Sequence, residues 1–165
     1  MSRPNPVNLK ELFSYRLNRL AHVSSRIAST VNESQFGLGP RDWRIIGLLG
    51  AFAPLSLNEL AHEANLDKSQ ASRSVSDLIE RGYVNRGTDA TDGRGIQLSL
   101  TTKGKNLYRK VFPNSVERNE ALLAVLTPDE REVLESVLDK LTGHSISMLT
   151  ALRDEPGKPK RKSRA

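Results

Sequence analysis

SLNELAHEANLDKSQASRSVSDLIERGYVNRGTDATDGRGIQLSLTTKG, residues 56–104, decides how this chain is read. Ser56 is placed to cap a short helix over 57–63, and Glu59, three residues on, completes a capping box. Asn65-Leu66 turns the chain, Asp67 caps a second helix over 68–81, and Gly82 stops it as a C′ glycine. Segments 83–88 and 96–100 alternate as paired strands around a polar tip, 89–95, that carries Asp92-Gly93-Arg94.

Placed on a wheel of about 100° per residue, Ala71, Val75, Leu78 and Ile79 gather on one side of the second helix. The opposite, N-terminal face holds Ser69, Gln70, Ser72, Arg73 and Ser76, with Lys68 at the helix start. Gln pairs with adenine and Arg with guanine through two hydrogen bonds, and small hydroxyls admit the helix deep into a groove and bond phosphates. An ordinary amphipathic surface helix would look the same in isolation. A tight helix pair before it and an arginine-tipped hairpin after it point to a helix in the major groove and Arg94 in the minor groove. Gly93 and Gly95 allow close backbone approach there. Asp92 either holds an arginine in place or is simply the turn residue of Asp-Gly. Arg86 reads as a phosphate contact or as a solvated strand charge.

Outward from this unit the pattern is helical. Residues 8–33 place Leu9, Leu12, Phe13, Leu17, Leu20, Val23, Ile27 and Val31 at 3.6-residue spacing. Pro40 opens a short apolar helix that continues to Phe52. A long helix from 103 to about 126 contains Pro113, where a bend or short break is expected. A capped start at Thr127-Pro128 leads into a last helical face through Leu152. The apolar faces of the flanking helices exceed what the small central unit can cover, and a second copy of the chain would bury them. The expected fold is mainly α with a small β-hairpin wing: a winged helix-turn-helix over 40–103, a helical dimerisation lobe from 8–33 and 104–153, and a disordered basic tail, 154–165.

Composition narrows the function. The net charge is +6, yet the tail's Lys158, Lys160, Arg161, Lys162 and Arg164 account for five of it. Segment 56–95 carries five basic and seven acidic residues, so DNA binding must rest on placed side chains rather than overall charge. There is no cysteine, which excludes disulfides and thiolate zinc sites, and the three histidines are far apart, so no metal is expected. The N-terminus lacks an apolar run after its charge, and 45–58 is too short to span a bilayer, which reads as a cytoplasmic protein without membrane contact. No nucleophile–base set or phosphate-cradling glycine loop suggests an enzyme, and no cofactor is expected.

Leu60-Ala61, Lys68, Ser69, Ser72, Val75, Leu78, Gly82, Tyr83-Val84, Arg86, Asp92-Gly93-Arg94 and Leu98-Ser99-Leu100-Thr101-Thr102-Lys103-Gly104 together resemble the multiple-antibiotic-resistance-regulator (MarR) family. The resemblance spans Leu9 to about Leu152, with Gly39 standing where relatives often carry a Ser or Thr cap. It implies a homodimeric winged-helix transcription factor, most often a repressor, on a pseudopalindromic operator in double-stranded DNA. The run Ser14-Tyr15-Arg16-Leu17 with His22, and Asp42-Trp43-Arg44, is similar to the branch that senses aromatic carboxylates. That implies a small aromatic acid effector held by Tyr15, Arg16, His22 and Trp43. Read from the residues alone, the first three also suit a solvated helix face, and Trp43 suits core packing. Two other readings remain open: a nonspecific architectural DNA-binding protein driven by the basic tail, and a winged-helix adaptor that binds protein only.

Overall fold

The computed structural model of the chain describes residues 8–88 and 96–154, so the wing tip and both termini, and with them the expected disordered tail, lie outside the described residues. Helices α1 (Phe13–Phe36), α2 (Pro40–Phe52), α3 (Leu57–Glu63), α4 (Lys68–Glu80), α5 (Thr102–Leu123) and α6 (Pro128–Asp154) accompany strands β1 (Leu55–Ser56), β2 (Val84–Thr88) and β3 (Ile96–Leu100). The sheet is antiparallel in the order β1-β3-β2, with Leu55 opposite Leu98 and Val84 opposite Leu100. This is the mainly helical fold with a small hairpin that the sequence predicts, to which the two-residue β1 adds a third strand. Among the described residues no helix is long and apolar enough to cross a membrane.

The chain divides into two compact units, one up to Arg118 and one from Asn119 onward. The core of the first is Leu38, Ile45, Ile46, Leu49, Leu60, Val75, Leu78, Val84, Leu98, Leu100 and Val111, drawn from α2 to α5 and both longer strands. Local signals set the element ends. Pro40 stands at the first turn of α2, where its missing N–H costs no helical bond. Ser56 and Glu59 form the reciprocal capping box on α3, and Asp67 Oδ1 accepts the Gln70 amide at 2.7 Å. Gly82, at φ 75°, takes the left-handed turn after α4.

The corner between β3 and α5 explains Thr101 and Gly104. Thr101 Oγ1 donates to the Gly82 carbonyl (2.7 Å) and accepts the Gly104 amide (3.0 Å), tying the end of α4 to the start of α5. A Cβ on Gly104 would lie 2.1 Å from the Tyr83 carbonyl oxygen, so only glycine lets α5 leave the sheet this closely.

Two expectations change. The first helix does not run from residue 8: a 3-10 turn, Leu9–Glu11, is capped by Asn8, and extended Leu12 separates it from α1. Helix α5 continues through Pro113 without a break. Proline there removes one hydrogen bond, to the carbonyl of exposed Arg109, which water can satisfy.

The second unit is built on α6. Thr127 Oγ1 accepts the Glu130 amide (3.3 Å) while Glu130 Oε2 accepts the Thr127 amide (2.9 Å), and Arg131 pairs with Glu120 at 2.9 Å. Its apolar residues, among them Val133, Leu134, Val137, Leu138, Leu141 and Leu149, are exposed in the single chain.

Gly104→Ala is expected to lower stability by about 3 kcal/mol, the upper end for overpacking against a rigid neighbour, as read by thermal unfolding. The carboxyls of Glu59 and Glu130 are held below the usual value of 4.5, each chiefly by the backbone hydrogen bond of its capping box. A depressed carboxylate stabilises the fold fully above its unfolded pKa, and that contribution is lost as pH falls through the folded value. Replacing both by Gln should therefore flatten the loss of stability below about pH 4.5 seen in a pH series of melts, relative to the parent chain.

Candidate nucleic-acid interface and effector region

Helix α4 buries Ala71, Val75 and Leu78. At 100° per residue that burial turns Ser69, Arg73 and Ser76 outward, where all three are exposed, with Gln70 and Ser72 half-buried on the shoulders and Lys68 exposed at the start. No side chain of these six residues has a hydrogen-bond or ion-pair partner among the described residues, so their donors remain available to an external acceptor. Arg73 and Arg41 line a shallow concavity of about 520 Å3, with Asp42 and Asp77, between the start of α2 and α4. Arg86 is exposed on β2, opposite Leu98 in the sheet register. Asp92 and Arg94 lie outside the described residues.

The effector candidates sit on α1 and α2. Arg16 and His22 are exposed and Tyr15 is half-buried. No hydrogen bond, ion pair or ring contact joins these three to one another or to Trp43 among the described residues. Trp43 instead stacks on Tyr108 of α5, ring centroids 6.2 Å apart, and Tyr108 stacks in turn on Phe112 at 5.2 Å. Gly50 lies so close to Tyr108 that a Cβ would meet its ring at 2.5 Å. A concavity of about 480 Å3 beside Tyr108 is lined by Leu49, Ala53, Pro54, Ser99, Lys105 and Arg109, among others, and does not include the α1 trio. Among the described residues no group of three or more His, Asp or Glu side chains is placed to hold a metal ion.

Sequence reasoning missed the contacts of three basic residues, Arg81, Arg44 and Lys103. Arg81 Nη1 donates to Asp42 Oδ2 at 2.6 Å and to Asp77 Oδ2 at 3.1 Å, and its Nη2 reaches the Gly37 carbonyl at 3.4 Å. Hydrogen bonding to Asp42 is the main reason its pKa is raised further above the ordinary guanidinium value. Arg44 Nη1 donates to the Ala64 carbonyl at 2.9 Å. Lys103 Nζ donates to the Arg81 carbonyl at 2.8 Å and lies 4.6 Å from the centroid of the Tyr83 ring. Arg81 and Asp42 are far apart in sequence, so only the tertiary fold reveals the pair.

Residues 36–95 match the model of the MarR family. The chain is 26% identical over 135 residues to the HTH-type transcriptional regulator YkoM of Bacillus subtilis, covering 82% of this chain and 88% of that protein. The solved structure of a MarR/EmrR family transcriptional regulator from Acinetobacter is 28% identical and superposes with a TM-score of 0.79, covering 86% of this chain and 99% of that one. MepR of Staphylococcus aureus, solved as a DNA complex, shares the fold at 23% identity and a TM-score of 0.71, over 81% of this chain and 98% of that one.

Proposed function

We propose that the chain is a DNA-binding transcriptional regulator of the MarR family, a cytoplasmic, homodimeric repressor released from its operator by a small aromatic carboxylic acid. The observation that carries the DNA-reading half is the outward face of α4. Its buried side is committed to the core, and its other side holds hydroxyls, one Gln and one Arg with no partner among the described residues. Ser69, Gln70, Ser72, Arg73 and Ser76 read the major groove in this proposal, Lys68 and Arg86 contact phosphates, Asp92 holds the wing arginine and Arg94 enters the minor groove.

Homodimerisation is supported by the apolar faces. Leu17, Leu20, Val23 and Ile27 of α1 are exposed in the single chain, as are the α6 residues of the second unit. Rows of this length on a water-soluble regulator call for a cover, and a second copy supplies matching rows under two-fold symmetry. In this reading 8–33 and 104–153 form the dimer lobe and 40–103 the DNA-binding domain. Two such domains about a dyad suit a pseudopalindrome with half-sites one helical turn apart.

The effector proposal rests on chemistry. Arg16 offers a planar, permanently charged fork to a carboxylate, and His22 a hydrogen bond to a ring substituent. Trp43, already part of an aromatic stack, offers a wall to a ring. With Tyr15 these groups would flank a ligand rather than share one face of α1.

Fluorescence anisotropy at physiological salt, with the native upstream duplex and a scrambled duplex of equal composition, tests the reading. A preference of about a thousandfold or more supports a specific regulator, whereas near-equal affinity points to tail-driven, nonspecific binding. Arg73→Ala should weaken operator binding by about 1–3 kcal/mol, with specificity relaxed at one base pair per half-site. Arg94→Ala should weaken binding severely and leave the dimer intact by sedimentation. Arg16→Ala should keep operator affinity and abolish release by an aromatic acid that displaces the parent protein; release at the parental concentration would remove Arg16 from the effector site.

A further inference from the structure

Asp42, Trp43 and Arg44 occupy three successive positions in the first turns of α2, about 100° of helical rotation apart, and so reach three different neighbours. Arg44 holds the Ala64 carbonyl, at the end of α3 and just ahead of the turn into α4. Trp43 stacks on Tyr108 of α5. Asp42 holds Arg81, the residue that closes α4. The turn that leads into α4 and the residue that closes it are thus tied to one turn of α2, and the residue between the ties faces α5.

The contacts of Arg81 are not equivalent. Asp77 belongs to α4 itself, one turn back, so that ion pair moves with the helix. Asp42 belongs to α2, and Gly37, whose carbonyl accepts the third bond, is the left-handed cap of α1. Of these three side-chain contacts, the last two register α4 against the rest of the unit. Asp42 is also the most sheltered member of the group, its side chain 19% exposed, so its charge-assisted bond is less screened than a surface pair. Arg44 likewise satisfies one of the carbonyls that the end of α3 leaves without a helical partner.

We propose that Asp42, Arg44 and Arg81 are positioning residues for DNA reading: they set the orientation of α4 on the unit without touching DNA, and Trp43 couples that orientation to α5. The inference rests on the reading of α4 as the helix that enters the groove. It also gives the region around Trp43 a route to the operator. Asp42 and Arg44 flank Trp43 on the same rigid turn, so any displacement of the indole against Tyr108 carries both ties with it.

The test uses the full chain and two variants, Asp42→Ala and Asp42→Asn, each read at a temperature well below its melting point. Amide hydrogen exchange is the first readout. Protection in the last two turns of α4 should fall about tenfold or more in Asp42→Ala and less in Asp42→Asn, while the β2 and β3 amides change by less than about twofold. Anisotropy is the second. Affinity for the native duplex should drop about tenfold or more in Asp42→Ala, with affinity for the scrambled duplex and the salt dependence unchanged, because no phosphate contact is lost. Unchanged α4 protection overturns the proposal. So does tighter binding of both duplexes with a steeper salt dependence, which would show that freed Arg81 is itself a phosphate ligand. If Asp42→Ala does not fold, Asp42→Asn is judged by the same criteria at about threefold. Should the parent protein fail to distinguish the two duplexes, the DNA reading fails on its own, and the exchange measurement still decides whether Asp42 holds α4.

Discussion

Burial of one face of α4 is the constraint on which the rest of the first unit depends. Val75 and Leu78 are fully enclosed in a core they share with Ile45, Leu60 and Leu98, and Ala71 is buried beside them. Each such aliphatic side chain is worth about 1.5–3 kcal/mol relative to exposure, while an outward serine or arginine contributes little to folding. The core therefore chooses which residues face out. Rotating α4 by one position would bring Ser72, Ser76 and Ile79 to the inside and leave hydroxyls without partners in an apolar interior. The outward polar set is thus a by-product of packing, fixed before any ligand arrives.

The wing is held to this core by a small number of short contacts. Thr101 caps α5 and binds the Gly82 carbonyl, and Gly104 admits the Tyr83 backbone where no side chain fits. Lys103 closes the same corner from outside, through the Arg81 carbonyl and the Tyr83 ring. The run Thr101-Thr102-Lys103-Gly104 therefore has a geometric meaning: it is the set of residues that lets a helix start immediately after a strand while still bonded to the end of α4.

What could be read from the sequence was what is determined locally. The capping box at Ser56, the capped start at Thr127, the Asp67 cap, the Gly82 stop and the apolar periodicity of α4 each involve residues within a few positions, and the structure places all of them as the spacing predicts. The strand β1 escaped because two residues carry no periodicity; Leu55 and Ser56 become a strand only because β3 offers them a free edge. The pairing of Arg81 with Asp42 and the stack of Trp43 on Tyr108 escaped for the same reason, since both join segments far apart in the chain. Pro113 misled in the other direction. Its local cost is real, but the helix ahead of it is anchored by buried Gly104 and Val111, and one lost bond at an exposed carbonyl does not outweigh that packing. The identities on the outward face of α4 were legible and their targets were not, because a base edge leaves no trace in the chain that reads it.

A ligand-responsive regulator of the proposed kind must be stiff where it reads and movable where it senses. In the proposed homodimer, two copies on a dyad would bind the second half-site as an intramolecular event, so affinity would depend on how well both α4 helices fit at once. Under that condition a small rotation of α4 is costly twice over, and control needs only a modest difference in ligand affinity between two orientations. The first unit has the parts for such a balance. The face of α4 is backed by a dense core, and its C-cap residue Arg81 and the preceding turn at Ala64 are tied to a single turn of α2 through Asp42 and Arg44. Between them Trp43 stacks on Tyr108, ring centroids 6.2 Å apart. In the proposed coupling, a shift of the α2 backbone at that stack would move both ties together, because Asp42 and Arg44 neighbour Trp43 on one turn.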